Sequence, residues 1–394
     1  MIARTPSAND ERSLFIWPIL ILGSTHRGVI CRLRDAPLGK GRRGGPVPTN
    51  AGGIQHREKN WATVPNVRGL AGQDSAERDS AERGLTGRLT EVALGYQRVL
   101  TGNPGNPEAL VGMSLVALAS RQTEAAVKMA EAAVAAVPPA TRLEGAAWVA
   151  LGQALNASAR SEEAERAYWH AIRLDGMDAL ARLGLGELRI ASGRAEEAAR
   201  EFELALRRQP WLVAAHLGLG NALALAGRNE EALARYEHAL ALQPRFPEAE
   251  YAAGFALARL GRAKEAETRY RRALTLRPDF AAVWVSLGCL LREDGRDVWA
   301  EAALKRAIEL RPDLIAGWIN LALLERERGR PAEAETHLRR AFARNPEQVE
   351  TLVAWCQFRA AEQDLAGAWG LVALGSGARP GQRGSGEHGW NSAA

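Results

Sequence analysis

Asn229–Pro244 reads NEEALARYEHALALQP, and the phrase returns. It comes back as AKEAETRYRRALTLRP, ending at Pro278, and as AEEAAREFELALRRQP, ending at Pro210. The three prolines stand 34 residues apart. The same step carries Pro312 and Pro346. It also links Gly152, Gly186, Gly220, Gly254 and Gly288. Ala164, Ala198, Ala232, Ala266, Ala300 and Ala334 form a third ladder, and Ala171, Ala205, Ala239, Ala273, Ala307 and Ala341 a fourth. A fifth holds Tyr168, Phe202, Tyr236 and Tyr270, then Leu304 and Leu338. Ladders that keep step over so many copies mark an internal repeat, and a period of this length means stacked supersecondary units.

Each copy reads as two helices. The first, such as Ala214–Ala226, is rich in Ala and Leu and ends at a glycine: Gly193, Gly227, Gly261, Gly295 or Gly329. Glycine there can take the left-handed conformation that closes a helix. The second opens with acids, as in Glu196–Glu197 and Glu230–Glu231, where the helix dipole favours negative charge. Ser161, Asn229 and Asp297 stand at the expected N-caps. The helix stops before the proline, which cannot continue it. The small positions have a packing reason: Gly220 and Ala232 let two antiparallel helices approach, and Tyr236 fills the space beside them.

This arrangement of Gly, Ala, aromatic, Ala and Pro resembles the tetratricopeptide repeat family. Full copies read at 107–140, 145–178, 179–212, 213–246, 247–280, 281–314 and 315–348, with partial copies at both ends. The resemblance covers residues 86–370 and implies an all-α, right-handed solenoid of seven to eight helical hairpins. The first copy departs from the pattern, with Ser114 and Ala130 and no helix-ending glycine. Arg182, His216 and Glu250 stand in the place held by Trp148, Trp284 and Trp318, so local repacking is expected there.

The flanks differ. Residues 1–85 are rich in Gly, Pro, Arg and Ser and have no helical period, so a disordered leader is expected. They hold 13 Lys+Arg and 8 Asp+Glu, a net of +5; the whole chain has 51 − 46 = +5. The repeat array is therefore charge-balanced, which argues against nucleic acid as its partner. An upstream misplaced start for this leader is the alternative reading. Leu14–Leu22 (LFIWPILIL) is too short to span a bilayer, and Asp10 and Glu11 spoil it as a signal peptide. A cytoplasmic protein is expected, with secretion through this run the lesser alternative. Residues 371–394 lose the pattern and read as an irregular tail; a truncated or frame-slipped array would produce it. Uncapped ends of a solenoid leave end-to-end self-association open.

Chemistry is sparse. Cys31, Cys289 and Cys356 lie far apart, and the histidines are scattered, so neither a disulfide scaffold nor a metal site is expected. LGLGELR (Leu183–Arg189) carries two glycines inside a helical period, which makes them packing positions and not a phosphate cradle. No nucleophile with a base and an orienting group can be assembled. The expectation is a protein without catalytic residues, cofactor or metal.

What remains is surface. The family resemblance implies that the first helices line a concave groove that takes a ligand. Its fifth positions carry Val149, Leu183, Leu217, Tyr251, Val285 and Ile319. Its ninth positions include Gln153, Glu187, Asn221 and Phe255, and Asn156, Arg292 and Arg326 lie further along. An apolar stripe on a solvated face marks a partner site, unless the side chains simply pack between neighbouring first helices. The expected function is a scaffold that holds an extended segment or helix of another protein, with Asn221 and Asn156 bonding its backbone. The alternative is the substrate-binding arm of a catalytic protein, since the array also resembles the repeat portion of bacterial O-linked N-acetylglucosamine transferase-like proteins. Of their sixth-position asparagine ladder only Asn320 is present.

Overall fold

The computed structural model describes residues 89–139, 141–176, 178–344, 349–364 and 367–368. The leader, the Leu14–Leu22 run and the irregular tail lie outside these. Sixteen helices run from residue 89 to residue 361, with no strand among the described residues.

The chain divides into two compact units. The first holds α1 (89–102), α2 (Pro107–Ala119), α3 (Thr123–Ala136), α4 (Arg142–Ala157), α5 (Ser161–Leu174) and α6 (Ala179–Ala191). The second begins with α7 (Ala195–Arg208), whose last two residues group with the first unit. It continues through α8 (Val213–Leu225), α9 (Asn229–Leu242), α10 (Pro247–Arg259), α11 (Ala263–Leu276) and α12 (Ala281–Glu293). It ends with α13 (Asp297–Leu310), α14 (Ile315–Glu327), α15 (Pro331–Arg344) and α16 (Val349–Ala361). Within each unit successive helices pair as hairpins, and each hairpin stacks on the next, as in an α-solenoid.

The core of four hairpins is a side chain pressed onto a missing one: at Gly152, Gly220, Gly254 and Gly288. A Cβ added at Gly152 would lie 2.5 Å from the Tyr168 ring, and one at Gly254 would lie 2.7 Å from the Tyr270 ring. Gly220 stands in the same relation to Tyr236. The Tyr168 ring also lies against Gly184 of the following first helix, so one ring couples two hairpins. In the first copy, which has alanine in the ring's place, Ala130 is fully buried and the glycine seat becomes Ser114. Its hydroxyl donates to the Ala126 carbonyl at 2.9 Å, across the hairpin. The Ser114 and Ala130 departure is therefore a matched pair.

The turns follow the expected chemistry with two corrections. Gly193, Gly227, Gly261, Gly295 and Gly329 all have φ between +71° and +83°. The copies that lack this glycine adopt the same conformation: Arg121 and Ala159 at φ 58° and Gln363 at φ 62°. The N-caps expected at Ser161, Asn229 and Asp297 are overturned. These residues begin their helices, and Arg160, Arg228 and Arg296 occupy the cap positions without a side-chain cap bond. The left-handed turn delivers the chain into the helix one residue earlier. The arginine then reaches forward instead: Arg160 and Arg228 each make a two-pronged bond to Glu163 and Glu231 three residues on.

The repacking expected at Arg182, His216 and Glu250 is also corrected for two of the three. Trp284 donates its indole N–H to the Pro278 carbonyl at 2.8 Å, and Trp318 donates to that of Pro312 at 2.9 Å. His216 Nε2 meets the Pro210 carbonyl at 2.8 Å, and Arg182 donates to the Gly176 carbonyl at 2.8 Å. The shared requirement is an N–H donor that satisfies the carbonyl six residues back, in the loop between copies. Glu250 cannot donate; it accepts from Arg269 at 3.2 Å.

Ion pairs add to this in the second unit. Arg277 reaches Glu248 within one copy at 2.7 Å, while Arg296 reaches Glu267 at 2.6 Å and Arg328 reaches Glu301 at 2.5 Å across copies. The Arg328 and Lys305 bonds hold the Glu301 carboxyl down at about 2.

A left-handed alanine is strained by about 1–2 kcal/mol, and glycine relieves that at some cost in chain entropy. Ala159→Gly should therefore stabilise the chain by about 0.5–1 kcal/mol, whereas Gly227→Ala should destabilise it by about 1 kcal/mol. Urea denaturation followed by circular dichroism checks this, and shifts of the same sign would contradict it.

Candidate functional site

The first helices carry every side chain singled out as a ligand contact, and the structure sorts these into two layers. Leu217, Tyr251, Val285 and Ile319 are core residues in the second unit, as is Val149 in the first. Tyr251 is 1% exposed and packs between the rings of Tyr270 and Phe280. The expected apolar stripe is thus internal packing at these five positions. Consecutive first helices lie close enough that the fifth side chain is covered by its neighbours. Leu183, in the first unit, stays half-buried. Asn221 is corrected too: it is 2% exposed, and its carbonyl oxygen accepts from the Tyr236 hydroxyl at 2.8 Å. It ties the hairpin together, so that oxygen is committed inside the core and not offered to a ligand.

One turn further on, the side chains reach the surface. In the first unit Gln153, Asn156 and Glu187 are half-buried. In the second, Phe255, Cys289 and Leu323 are half-buried at equivalent places on α10, α12 and α14. Arg292 and Arg326 follow them by three residues on α12 and α14. Arg292 pairs with Glu327 of the next first helix, while Arg326 makes no ion pair among the described residues. The surface of the second unit's first helices is therefore a short apolar row with one committed and one available guanidinium.

The chemistry of these groups is quiet. Burial pushes the Cys289 thiol up to about 12, so it holds its proton and is a poor nucleophile. No group of three or more His, Cys, Asp or Glu placed to hold a metal occurs among the described residues. No helix among the described residues is long and apolar enough to cross a membrane. Asn320 is buried, with its amide donating to the Ala316 carbonyl at 2.8 Å in its own helix.

Two surface features escaped the sequence reading. Val298 and Trp299 are exposed at the start of α13, where other copies have the solvated pairs Glu196–Glu197 and Glu230–Glu231. The break in the acidic pattern was the available signal. Trp211 is 67% exposed in the loop before α8, where the next copy has Arg245.

Glu187 is the one perturbed acid of this surface. It makes no hydrogen bond or ion pair among the described residues, and burial pushes its carboxyl up to about 7. The folded chain then binds more protons than the unfolded chain between about pH 4.5 and 7, so this group's contribution to stability falls as pH rises through that window. Glu187→Gln should be more stable than the parent at about pH 8 by about 1–3 kcal/mol and indistinguishable from it at about pH 4. Urea midpoints at the two pH values check this; an equal gain at both would contradict it.

Comparison with known proteins bears on this geometry. Tetratricopeptide repeat models match residues 149–211 and 251–315, 220–261, and 315–358. A search of curated proteins finds no match. Among solved structures, the chain is similar to one in the APC/C hetero-tetramer Cut9–Hcn1, at 19% identity and a TM-score of 0.58, covering 68% of this chain. This chain spans 52% of that one, about half its length. PilF of Pseudomonas aeruginosa matches at 18% identity and a TM-score of 0.47, over 55% of this chain and 97% of its own. YrrB, a tetratricopeptide repeat protein with an unusual peptide-binding site, matches at 22% identity and a TM-score of 0.37, over 48% of this chain and 98% of its own. Such identities speak to fold alone, and none bears on the sugar-transferase likeness. The chain carries tetratricopeptide repeats over residues 149–211 and 220–358.

Proposed function

We propose that this chain is a non-catalytic scaffold that binds a segment or helix of another protein along the exposed surface of its first helices. The observation that supports this is the row Phe255, Cys289 and Leu323, half-exposed on three successive first helices of the second unit. Apolar side chains left at the surface in register are the usual mark of a partner surface. The anchors of the reading move outward from the buried fifth positions to this row, with Arg326 as the charged contact. Gln153, Asn156 and Glu187 offer polar contacts on the first unit. The groups a reaction would need, an activated nucleophile with its base, are not brought together among the described residues. The array's charge balance fits a protein partner better than nucleic acid, and a cytoplasmic site of action is part of the same reading. Self-association through the array's ends is the second reading, and it needs no other protein. The buried Asn320 gives no support to a sugar-binding arm.

The test is capture of a partner by the full chain, by a Phe255→Asp/Leu323→Asp variant, and by a control, Thr268→Asp, on the exposed side of α11. Helical circular dichroism must match in all three. Capture lost only in the double variant, and surviving a rise in salt beyond the range where surface charges are screened, is expected. Equal capture by all three, or loss by salt alone, would contradict the reading.

A further inference from the structure

His216 fills the shared donor position with a ring that titrates. It is 8% exposed on α8, and its Nε2 donates to the Pro210 carbonyl at 2.8 Å. Trp284 and Trp318 make the same bond in their copies with an indole, which does not titrate. The His216 ring stacks on His238 of α9, with centroids 5.5 Å apart and planes 20° from parallel. Because Nε2 carries the donated proton, Nδ1 is the nitrogen that would take a second one. Nδ1 is buried and has no hydrogen-bond partner among the described residues.

The charged groups that act on His216 are His238 and Arg235, both on α9; α7 and α10 add none among the described residues. Both disfavour a positive ring. The other two histidines in ring contact, His170 on Trp148 and His337 tilted against Trp318, are placed differently. His170 lies within reach of Glu144, and His337 within reach of Glu325 and Glu301, so each has a carboxylate to offset a proton. His216 has none among the described residues. We propose that the stacked His216–His238 pair is an acid-sensitive joint, at which protonation opens the α8–α9 hairpin locally while the hairpins beyond it stay closed.

The physical sequence is short. A second proton on His216 puts an N–H at a buried site without an acceptor, beside like charge. The cation can be solvated only if the ring leaves its slot. The bond to Pro210 leaves with it, and the loop that presents Trp211 loses its anchor. Burial already holds the His216 ring below the usual histidine range. Its folded-state affinity for a proton is therefore lower than in the unfolded chain, so stability present at neutral pH is lost as pH falls below the unfolded value of about 6.5. Nearest-neighbour coupling confines the opening to the joint first.

Hydrogen exchange of the full chain at about pH 7.5 and about pH 5.5, corrected for intrinsic exchange, tests this against His216→Trp, which restores the donor used by the sibling copies. In the parent, protection over residues 210–242 should fall on acidification, by up to roughly tenfold per pH unit for one linked proton. Residues 263–310 should change less, and His216→Trp should abolish the fall. Unchanged protection in the parent, or an equal fall in the variant, overturns the proposal. Should the tryptophan not be accommodated, His216→Gln keeps a donor that does not titrate and carries the same expectation. An NMR titration of the parent that places His216 at or above an exposed histidine would overturn it as well.

Discussion

A tyrosine ring pressed onto an absent side chain sets the spacing of three hairpins in this array. Where Tyr168, Tyr236 or Tyr270 occupies the second helix, the first helix presents a glycine that has no room for a Cβ. Where the second helix carries the smaller Leu338, the first helix presents Ala322 instead, and both are buried. Where it carries only Ala130, the partner is Ser114, which adds a cross-hairpin hydrogen bond. At the tyrosine seats ring and glycine are matched in space, and Gly288 likewise leaves no room for a Cβ beside Leu304. Close-packed interiors demand this, because an added or missing methylene is felt directly. The helix separation so fixed decides which first-helix side chains are covered and which remain at the surface.

From that separation the functional surface follows. Fifth-position side chains other than Leu183 fall inside, and ninth-position side chains other than Asn221 fall at the boundary. The loops between copies are then tied by one recurring bond from an N–H donor to the carbonyl six residues back. Arginines at the helix entries and across copies bind neighbours without burying apolar area. Much of that energy is electrostatic and surface-exposed, so it contributes modestly per pair. The apolar row of Phe255, Cys289 and Leu323 packs its inner side on the core, as Leu323 does, and keeps part of itself at the surface, which is why the proposed partner contact is placed there.

The helices were readable in advance, because a 34-residue period repeated in five ladders leaves little freedom. The left-handed glycines were readable too, since only backbone geometry explains them. The buried stripe was not. Leu217 and Phe255 are both apolar side chains on a first helix, four residues apart in the repeat register, and only the approach of the neighbouring first helix separates core from surface. Asn221 looked like a ligand contact because an asparagine on a concave helix is usually solvated; its use by Tyr236 is a tertiary fact. The shared role of Trp284, Trp318, His216 and Arg182 was hidden by their chemical diversity, since the common element is one N–H. The helix-entry arginines were visible as a ladder through Arg160, Arg194, Arg228, Arg262, Arg296 and Arg330. They were passed over because a side-chain acceptor, not a donor, is the expected cap.

The most direct test of volume matching is a double-mutant cycle on Gly220 and Tyr236. Gly220→Ala alone places a Cβ against the Tyr236 ring and should cost about 1–3 kcal/mol. Tyr236→Leu alone removes buried ring atoms and costs stability by itself. Together they recreate the pairing of Ala322 with Leu338, so the double variant should be more stable than the sum of the single losses by about 1 kcal/mol or more. That coupling, measured by urea denaturation, is what a fixed-volume seat predicts. Additive losses would mean that the ring and the glycine do not share one space, and the account of how the hairpins are spaced would fail.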